Sequence, residues 1–374
     1  MRIAQVANFY GPRSGGLRTA LHALGRGYVE AGDDVLLVVP GDADSIADTP
    51  HGCVVTLHSP LLPHSGGYRV ITRLGAVIDT LAAFAPDVLE VSDRTTLAHL
   101  SPWARERGTA TAFLAHERVS GVLDTALRGR APGAAARLTE AHSRWIARRF
   151  DTLVATTAYA GAELAAVGAH VETVPLGVDL DRFHPGRASA TTRRRHAPDD
   201  VPLLVMASRL SREKRPDLAI EAVRELGRRG RPVRLVVAGS GPLEGRVRRA
   251  AASLPVEPLG FVDDRDRFAS LLASADAVLA PGPIETFGLA ALEALASGTP
   301  TVVNAASALP EVVGDAGLAA LGTPAAFADA VETMLARDGR QRRLDARARA
   351  VRFPWSATVA RMREVHSRAL AGAR

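Results

Sequence analysis

Short runs of β-branched and other apolar residues alternate with longer helical patterns along nearly the whole chain. In the first half, strand patterns are predicted at residues 2–7, 35–39, 54–57, 88–91, 111–114 and 153–156. Helical patterns fall among them at residues 17–31, 70–84, 95–107 and 132–149. Strands that alternate with helices favour a parallel sheet that is covered by helices on both faces.

A second series of the same kind occupies the other half of the chain. Strand patterns are predicted at residues 203–207, 233–238, 256–261, 277–280 and 301–303. Helical patterns follow at residues 216–229, 243–253, 265–274 and 288–297. Since 374 residues are ample for two domains, we predict two Rossmann-like α/β domains of similar size.

A polar segment separates the two series. Proline, glycine and histidine at residues 183–186 precede an arginine-rich run to Pro202, and this composition is typical of a linker. We therefore predict a first domain at residues 1–184 and a second at residues 185–354. The final helical segment, residues 355–374, is a separate element that is expected to return to the first domain.

Composition narrows the function classes. The net charge of +6 suits an anionic ligand or an anionic membrane surface, but no basic block with interleaved aromatic residues points to nucleic acid. Cys53 is the only cysteine, so no intramolecular disulfide can form and a reducing cytoplasm fits. The start of the chain has no signal-peptide pattern, and no run of 18 apolar residues occurs. We expect a cytoplasmic protein whose membrane contact, if any, is peripheral on the inner face.

The first chemical motif follows the strand pattern at residues 203–207. Arg209 and Lys214 lie between this strand and the helix that Pro216 opens, at the carboxyl end of the sheet, where open α/β sheets bind ligands. Arginine can fork onto phosphate oxygens and lysine supplies a point charge. The alternative is a pair of solvated surface charges.

The second motif spans residues 285–293. Gly288 and Leu289 begin a predicted helix, so their backbone N–H groups suit an anion, while Phe287 precedes them. Glu285 can accept hydrogen bonds from sugar hydroxyls, and Glu293 is placed to face a ribose. Two glutamates at this spacing on an alanine-rich helix can also occur by chance.

Two further strand ends suit a nucleotide. Glycine-rich residues 238–242, with Gly239 first, allow a tight turn that lacks the lysine of a P-loop. Phe261, Val262 and Asp264 follow the next strand, where backbone and carboxylate groups suit a base edge. Asp264 suits a helix N-cap equally well.

Together these motifs resemble those of the family 4 glycosyltransferases, which have the two-domain GT-B fold. Arg209 and Lys214 match the family's R-x4-K element, and Glu285 and Glu293 match its E-x7-E element. Residues 174–183 resemble its interdomain V-x-N-G-V-D-x-x-x-F segment. In that segment Leu176 replaces the usual asparagine.

The resemblance implies a retaining transfer of a sugar from a nucleotide donor bound in a cleft between two Rossmann-like domains. It also implies a front-face route, with Arg209, Lys214 and the helix N-terminus meeting the charge of the leaving diphosphate. No Ser-His-Asp set and no histidine–cysteine cluster occurs, and Asp42 and Asp44 form an incidental D-x-D in a polar loop. We therefore expect no cofactor and no metal requirement.

The first half supplies candidates for the acceptor and for the donor sugar. Gly15 and Gly16 lie in a loop that faces the donor in the resembled family, although a Gly-Gly pair is commonly just a turn. Tyr10 and Arg13 in the same loop are candidate acceptor contacts. His116 follows a strand end and matches the family position that hydrogen-bonds the transferred sugar, although a single histidine is often structural.

Asp93 and Arg94, at another strand end, are further candidate acceptor contacts. Residues 5–20, 89–94 and 280–287 resemble a subgroup of actinobacterial mannosyltransferases that act on phosphatidylinositol mannosides. This subgroup implies GDP-mannose as donor and a glycolipid acceptor. Two alternatives stay open: transfer from another UDP- or GDP-linked sugar to a natural product or small molecule, and a nucleotide-sugar 2-epimerase of the same fold.

The helical pattern at residues 132–149 is a candidate membrane-docking surface. Its basic residues, with two before it, are Arg128, Arg130, Arg137, Arg144, Arg148 and Arg149, and its interleaved apolar residues are Leu138, Trp145, Ile146 and Phe150. Such a helix can lie in a headgroup region. The alternative is an ordinary amphipathic helix packed on the sheet.

Overall fold

The computed structural model describes residues 1–11, 15–62, 67–120, 132–198 and 200–373, and it divides into two compact units. The first unit comprises Met1–Leu176 and Trp355–Arg374, and the second comprises Gly177–Pro354. The division falls eight residues before the one expected from the linker composition. Residues 177–184 join the second unit because the Val178 N–H donates to the Phe353 carbonyl at 2.9 Å and the buried Phe183 ring packs edge-on against Phe268.

The first unit is built on an eight-stranded sheet. Its strands are β1 (Arg2–Val6), β2 (Asp34–Gly41), β3 (Ser45–Thr49), β4 (Gly52–His58), β5 (Val88–Val91), β6 (Ala110–Ala115), β7 (Thr152–Ala155) and β8 (Glu172–Thr173), in the spatial order β3-β4-β2-β1-β5-β6-β7-β8. All neighbours are parallel except β3, which forms a hairpin with β4. The strand β3 escaped sequence prediction because most of its residues are exposed and it lacks a buried apolar pattern.

Helices cover this sheet as the alternation predicted. They are α1 (Gly16–Glu30), α2 (Leu74–Phe84), α3 (Ser101–Arg105), α4 (Pro132–Ala147) and α5 (Ala158–Ala165). The helix predicted at residues 95–107 is instead a 3-10 turn, Leu97–Leu100, followed by the short α3. Pro102 at the start of α3 explains the break, because it cannot donate a backbone hydrogen bond to the preceding turn.

The second unit contains a six-stranded sheet in which every recorded pair is parallel. Its strands are β9 (Leu203–Ala207), β10 (Arg234–Ala238), β11 (Val256–Gly260), β12 (Ala277–Ala280), β13 (Thr301–Asn304) and β14 (Gly317–Ala320), in the order β11-β10-β9-β12-β13-β14. Its helices are α6 (Ala190–His196), α7 (Pro216–Arg228), α8 (Glu244–Ala251), α9 (Arg265–Ser274), α10 (Leu289–Ala296), α11 (Leu309–Val313), α12 (Pro324–Ala336) and α13 (Gly339–Ala350). The predicted class of two doubly wound α/β domains is confirmed.

The last helix, α14 (Trp355–Ala373), belongs to the first unit. Its apolar residues Val359, Met362 and Val365 are buried in one cluster with residues of β1 and α1. The same helix places His366 2.9 Å from Glu90, with both side chains fully buried. Among the described residues, no helix is both long enough and apolar enough to cross a membrane.

Candidate active site

The turn after β9 presents Arg209 and Lys214 at the carboxyl end of the sheet. Residues Arg212–Lys214 form a 3-10 turn, and Arg215 has a left-handed backbone with φ of 52° before Pro216 starts α7. The Leu210 N–H donates to the Ser240 carbonyl at 2.9 Å, which fixes this turn against the one after β10. Both side chains are half-buried, as expected for groups that line a site.

Gly239 and Gly241 make the close approach of these two turns possible. Their φ values are +151° and +155°, which favour glycine. A Cβ at Gly239 would lie 1.9 Å from the Ser208 carbonyl oxygen, and one at Gly241 would lie 2.6 Å from that of Leu210. The structure therefore gives Gly239 a packing role beside Arg209, while its predicted contact with the donor stays a prediction.

Lys214 and Glu285 meet in the structure. Lys214 Nζ lies 2.8 Å from Glu285 Oε1, and the two side chains are 25% and 19% exposed. The loop after β12 reaches Lys214 because Gly282 allows it: a Cβ there would lie 2.8 Å from the Glu213 carbonyl oxygen. The residues predicted to hold the diphosphate and the sugar hydroxyls are thus adjacent.

Lys214 is the only lysine among the chain's 46 lysine and arginine residues. Everywhere else the positive charge is carried by a guanidinium group. Residue 214 is instead a lysine. Its compact ammonium group fits a confined position beside one carboxylate better than the planar guanidinium group of an arginine would. The single lysine can be seen in the sequence and would have pointed to residue 214, but sequence reasoning missed it.

The helix α10 begins one residue later than expected, at Leu289. Gly288 precedes it with φ of +80°, and a Cβ there would lie 2.2 Å from Leu309 Cδ2. The first-turn N–H groups of a helix have no acceptor within that helix, so they remain suited to an anion. Phe287 is 4% exposed and packs edge-on against Phe353, so its ring serves the core.

Glu293 is buried on α10, at 6% exposure, and accepts a hydrogen bond on Oε1 from Arg265. Burial raises the pKa of Glu293, while the charge of Arg265 opposes the shift. The Arg265 guanidinium also lies 5.0 Å from the centre of the Phe183 ring. Sequence reasoning missed Arg265, although it is a basic residue that directly follows the strand-end run predicted to hold the base. The ribose contact of Glu293 stays a prediction.

Asp264 is the N-cap of α9. Its Oδ1 accepts hydrogen bonds from the N–H groups of Asp266 and Arg267 at 2.9 and 3.1 Å. The sequence was compatible with either a helix N-cap or a base contact at Asp264. The structure shows the N-cap, and the base contact stays a prediction. Phe261 is 38% exposed and Val262 half-buried just after β11, so both are open to a ligand.

In the first unit, His116 follows β6 directly and is half-buried. Burial lowers the pKa of His116 to about 4, although Glu90 opposes the shift and Arg94 adds to it. The imidazole is therefore neutral near pH 7. A neutral imidazole can donate from one nitrogen and accept on the other, as a contact with a sugar hydroxyl requires.

The carboxylate of Asp93 is engaged within its own turn, and the acceptor role expected of this residue stays a prediction. Asp93 is 3% exposed, and its carboxylate accepts from the N–H groups of Thr95 and Leu97 at 3.0 and 2.9 Å and from the Thr95 hydroxyl. These bonds fold the turn after β5, so Asp93 positions that turn. Arg94 in the same turn is 9% exposed and lines a cavity.

The loop before α1 is described in part. Gly15 caps α1 and is exposed together with Gly16, so a ligand can reach both backbones. The Tyr10 hydroxyl lies 2.6 Å from His22 Nε2, and Tyr10 is half-buried. Arg13 lies outside the described residues, so its acceptor role stays a prediction.

The two carboxylates of the D-x-D pair form ion pairs with arginine residues. Asp42 pairs with Arg69, and Asp44 lies 3.0 Å from Arg73. In the part of the chain that the structure describes, no group of three or more histidine, cysteine, aspartate or glutamate residues is arranged to hold a metal ion.

The candidate docking helix α4 is partly a core helix. Ile146 and the nearby Phe150 are buried against the sheet, and Trp145 is half-buried, so these residues are not free for a membrane. Leu138 is 57% exposed, and the exposed Arg144 pairs with Glu140 at 2.6 Å. The two arginines predicted ahead of the helix, at residues 128 and 130, lie outside the described residues.

Comparison with known proteins gives matches over both units of the chain. The family model "Glycosyltransferase Family 4" matches residues 14–182, and "Glycosyl transferases group 1" matches residues 189–351. The chain is 47% identical, over 97% of its length and 95% of the relative's, to a GDP-mannose-dependent alpha-(1-6)-phosphatidylinositol dimannoside mannosyltransferase of Mycobacterium tuberculosis. It is 29% identical, over 97% of its length and 93% of the relative's, to D-inositol 3-phosphate glycosyltransferase 1 of Catenulispora acidiphila.

Solved structures share the fold at low identity. Sucrose-phosphate synthase from Thermosynechococcus elongatus superposes with a TM-score of 0.80 over 99% of both chains, at 20% identity. The glycosyltransferase WaaG superposes with a TM-score of 0.73 over 97% of this chain and 99% of its own, at 16% identity. Both likenesses concern the fold alone, and they agree with the two-domain GT-B architecture that the motifs implied.

Proposed function

Because this chain belongs to glycosyltransferase family 4, we propose that it transfers an α-mannosyl residue from GDP-mannose to a hydroxyl of a phosphatidylinositol mannoside. The hexosyltransferase activity follows from the family. The donor and the acceptor are proposed from the 47% identity to the mycobacterial mannosyltransferase. The structural observation that supports the proposal is the contact between Lys214 and Glu285, because it brings together the two motifs that are predicted to form the donor site.

Lys214, Arg209 and the N-terminus of α10 would hold the donor diphosphate. A guanidinium and an ammonium group at the end of β9 can neutralise the charge that grows on the leaving diphosphate as the glycosidic bond weakens. Glu285 restrains Lys214 before the donor binds. With the donor bound, the same carboxylate would accept hydrogen bonds from mannose hydroxyls while it still orients the ammonium group.

The nucleoside would lie beside α9 and α10. Oε1 of Glu293 is taken by Arg265, so the ribose hydroxyls would bond to the other carboxylate oxygen or displace the arginine. Phe261 and Val262 would contact the base, and the Asp264 region would accept the N–H groups that guanine presents. A guanine nucleotide should therefore bind more tightly than UDP.

The transfer would retain the anomeric configuration by a front-face route. The bond from C1 of mannose to the β-phosphate oxygen breaks, and the acceptor oxygen bonds to C1 on the same face. The acceptor's proton passes to the departing phosphate oxygen, so no protein nucleophile is required. Neutral His116 would hydrogen-bond a mannose hydroxyl.

The charge of the diphosphate would be met by Arg209 and Lys214 without a metal ion. Turnover should therefore persist in EDTA. Loss of activity in EDTA with recovery on addition of Mg²⁺ or Mn²⁺ would contradict this part of the proposal.

The enzyme would reach a lipid acceptor at the inner face of the membrane. Of the candidate docking helix, the exposed Arg137, Leu138 and Arg148 remain available. This smaller surface would give a reversible attachment to anionic lipids.

The activity is tested by incubating the protein with GDP-mannose and phosphatidylinositol dimannoside. We expect release of GDP and a product heavier by one hexose, whose new linkage is α by NMR. Parallel reactions contain UDP-glucose in place of GDP-mannose, or GDP-mannose without acceptor. Preferential use of UDP-glucose would overturn the donor assignment, and an epimerised nucleotide sugar in the acceptor-free reaction would indicate the 2-epimerase.

A further inference from the structure

A cavity of about 560 Å³ lies in the first unit, on the side of the sheet where β5 ends. Its volume is within the range of small-molecule sites. Its walls come from the segment before α2, from the turn after β5 and from α4. The lining residues are Thr72, Leu74, Arg94, Thr95, Thr96, His99, His142 and Trp145.

The floor of this cavity carries a buried cation. Arg94 is 9% exposed, and none of its three guanidinium nitrogens has a hydrogen-bond partner among the described residues. A buried guanidinium has lost its hydration, so an unmade set of hydrogen bonds is costly. Burial accordingly lowers the pKa of Arg94, although Glu163 and Glu117 oppose the shift.

The nearest carboxylate does not satisfy Arg94. Glu163 Oε2 lies 3.9 Å from Arg94 Nη1, which is beyond hydrogen-bond distance. Glu163 already accepts from the Ser120 hydroxyl at 2.6 Å, from the N–H groups of Ser120 and Val119 at 2.9 Å, and from Arg118. Its charge is therefore shared among other donors.

The rest of the wall suits an anion attached to a larger polar molecule. The His142 ring stacks on Trp145 with centroids 5.5 Å apart, and His99 meets the same indole edge-on at 5.0 Å. The imidazoles add further hydrogen-bonding nitrogens, and Thr72 adds an exposed hydroxyl. The Arg149 guanidinium lies 4.4 Å from the centre of the Trp145 ring and adds a further positive charge close to this wall.

We propose that this cavity binds the phosphate diester of the glycolipid acceptor, with Arg94 as the residue that recognises it. The guanidinium fork matches two phosphate oxygens, and a singly charged diester supplies the hydrogen-bond acceptors that the three guanidinium nitrogens lack. The inference rests on the proposed function, because the acceptor class comes from there. It adds the group by which the acceptor is selected, since a glycoside without the phosphate would leave the Arg94 guanidinium without charged hydrogen-bond acceptors.

The test compares two soluble acceptors that differ in one group. One is the deacylated headgroup, a mannosylated glycerophosphoinositol, and the other is the same mannosyl-inositol without the phosphate. For the wild-type protein we expect kcat/KM to be roughly 10- to 100-fold higher for the phosphate-bearing acceptor, the range of a charged hydrogen-bonded contact. Most of the difference should appear in KM.

Three variants locate the effect. In Arg94→Gln the preference for the phosphate-bearing acceptor should disappear, and in Arg94→Lys it should be intermediate, because the charge remains while the fork is lost. Arg107→Gln is the matched control: Arg107 is an exposed arginine of the same unit that lies over Trp103. It should keep the wild-type preference.

A direct titration separates failure of this site from failure of the proposed function. Glycerophosphoinositol, inorganic phosphate and inositol are titrated into wild-type protein while tryptophan fluorescence is followed, with Trp145→Phe identifying the signal. We expect saturable binding of glycerophosphoinositol, weaker binding of inorganic phosphate and none of inositol. This measurement needs no catalysis and no Arg94 variant, so it holds if Arg94→Gln does not fold.

Three results would overturn the proposal: no preference for the phosphate-bearing acceptor in the wild-type protein, an equal preference in Arg94→Gln, or equal binding of inositol and glycerophosphoinositol. Tighter binding of inorganic phosphate than of glycerophosphoinositol would also overturn it, because the site would then recognise free phosphate. Absence of mannose transfer to every acceptor, together with the expected titration, would refute the proposed function and leave the anion site standing.

Discussion

The ammonium group of Lys214, the chain's only lysine, lies 2.8 Å from the carboxylate of Glu285. These residues come from the turn after β9 and the loop after β12, which are adjacent because β9 and β12 are neighbours in the sheet. Both side chains are one-fifth to one-quarter exposed, so the pair remains accessible to the diphosphate that we propose it binds.

The first prediction concerns this pair. Lys214→Ala and Arg209→Ala should each lower kcat/KM for GDP-mannose by two to three orders of magnitude, which corresponds to about 3–4 kcal/mol for a desolvated charged contact. Lys214→Arg should recover little, because the larger guanidinium does not fit a single-carboxylate position. Arg228→Ala, at an exposed arginine of α7, is the control. Near-wild-type turnover in both alanine variants would remove the diphosphate assignment.

The single lysine also provides a chemical readout. An amine-directed acylating reagent can modify Lys214 and the terminal amine, and peptide mass spectrometry distinguishes the two. We expect GDP to slow acylation of Lys214 roughly in proportion to occupancy of the site, while acylation of Met1 is unchanged. Equal acylation of Lys214 with and without saturating GDP would show that the diphosphate does not cover it.

A second prediction concerns Arg265 and Glu293. Glu293→Gln should weaken GDP binding by roughly 10-fold if the carboxylate bonds to the ribose. Arg265→Gln removes its partner, and a double-mutant cycle separates the contact between the two residues from the contact with ribose. Calorimetry with GDP and with the 2′-deoxy nucleotide is the measurement. Unchanged GDP affinity in Glu293→Gln would leave Glu293 with a structural role only.

A third prediction concerns the start of α10. Gly288→Ala places a Cβ 2.2 Å from Leu309 Cδ2 on a backbone with φ of +80°. We expect the free energy of unfolding to fall by about 1–3 kcal/mol, together with weaker GDP binding, because the helix N-terminus must shift. Gly245→Ala is the control, since its Cβ would meet only a flexible arginine end at 4.0 Å within a helix. Equal stability of both variants and the wild type would contradict the strain argument.

The fold could be predicted further than the site. The alternation of apolar strand patterns with helical patterns was enough to predict both sheets, because each strand is short and each intervening helix must cover a face of the sheet. The sequence missed the exposed strand β3, whose pairing depends on a hairpin turn rather than on burial. The spacing of the motifs predicted that one donor site contains Arg209, Lys214, Glu285 and Glu293. The pairings of Arg265 with Glu293 and of Arg94 with Glu163 could not be predicted, because tertiary packing decides which long side chain turns towards which carboxylate.

A fourth prediction concerns acid stability. The pKa of His116 is about 4 in the fold, chiefly through burial, against 6.5 for an ordinary histidine, and His22 is shifted in the same direction to about 4. A depressed folded-state pKa stabilises the fold above pH 6.5, and this stabilisation is lost as the pH falls from 6.5 towards 4, because the unfolded chain takes up the protons first. Denaturant midpoints should therefore fall across this window. In His116→Gln the fall should be shallower, and an identical pH profile would contradict the assignment.

The last prediction concerns membrane attachment through α4. Ile146 and Phe150 are buried in the core and Arg144 is paired with Glu140, so the proposed attachment would depend on the exposed Arg137, Arg148 and Leu138. Each basic residue near an anionic surface adds about 1 kcal/mol, so Arg137→Glu/Arg148→Glu should weaken binding to anionic vesicles by more than 10-fold, and high salt should release the wild-type protein. Arg26→Glu/Arg107→Glu, at two exposed arginines of the same unit, is the control with the same change in net charge. Co-sedimentation measures the bound fraction. If Arg137→Glu/Arg148→Glu binds vesicles as well as the wild type does, the attachment surface lies elsewhere. If this variant and the control lose the same bound fraction, only the overall charge matters.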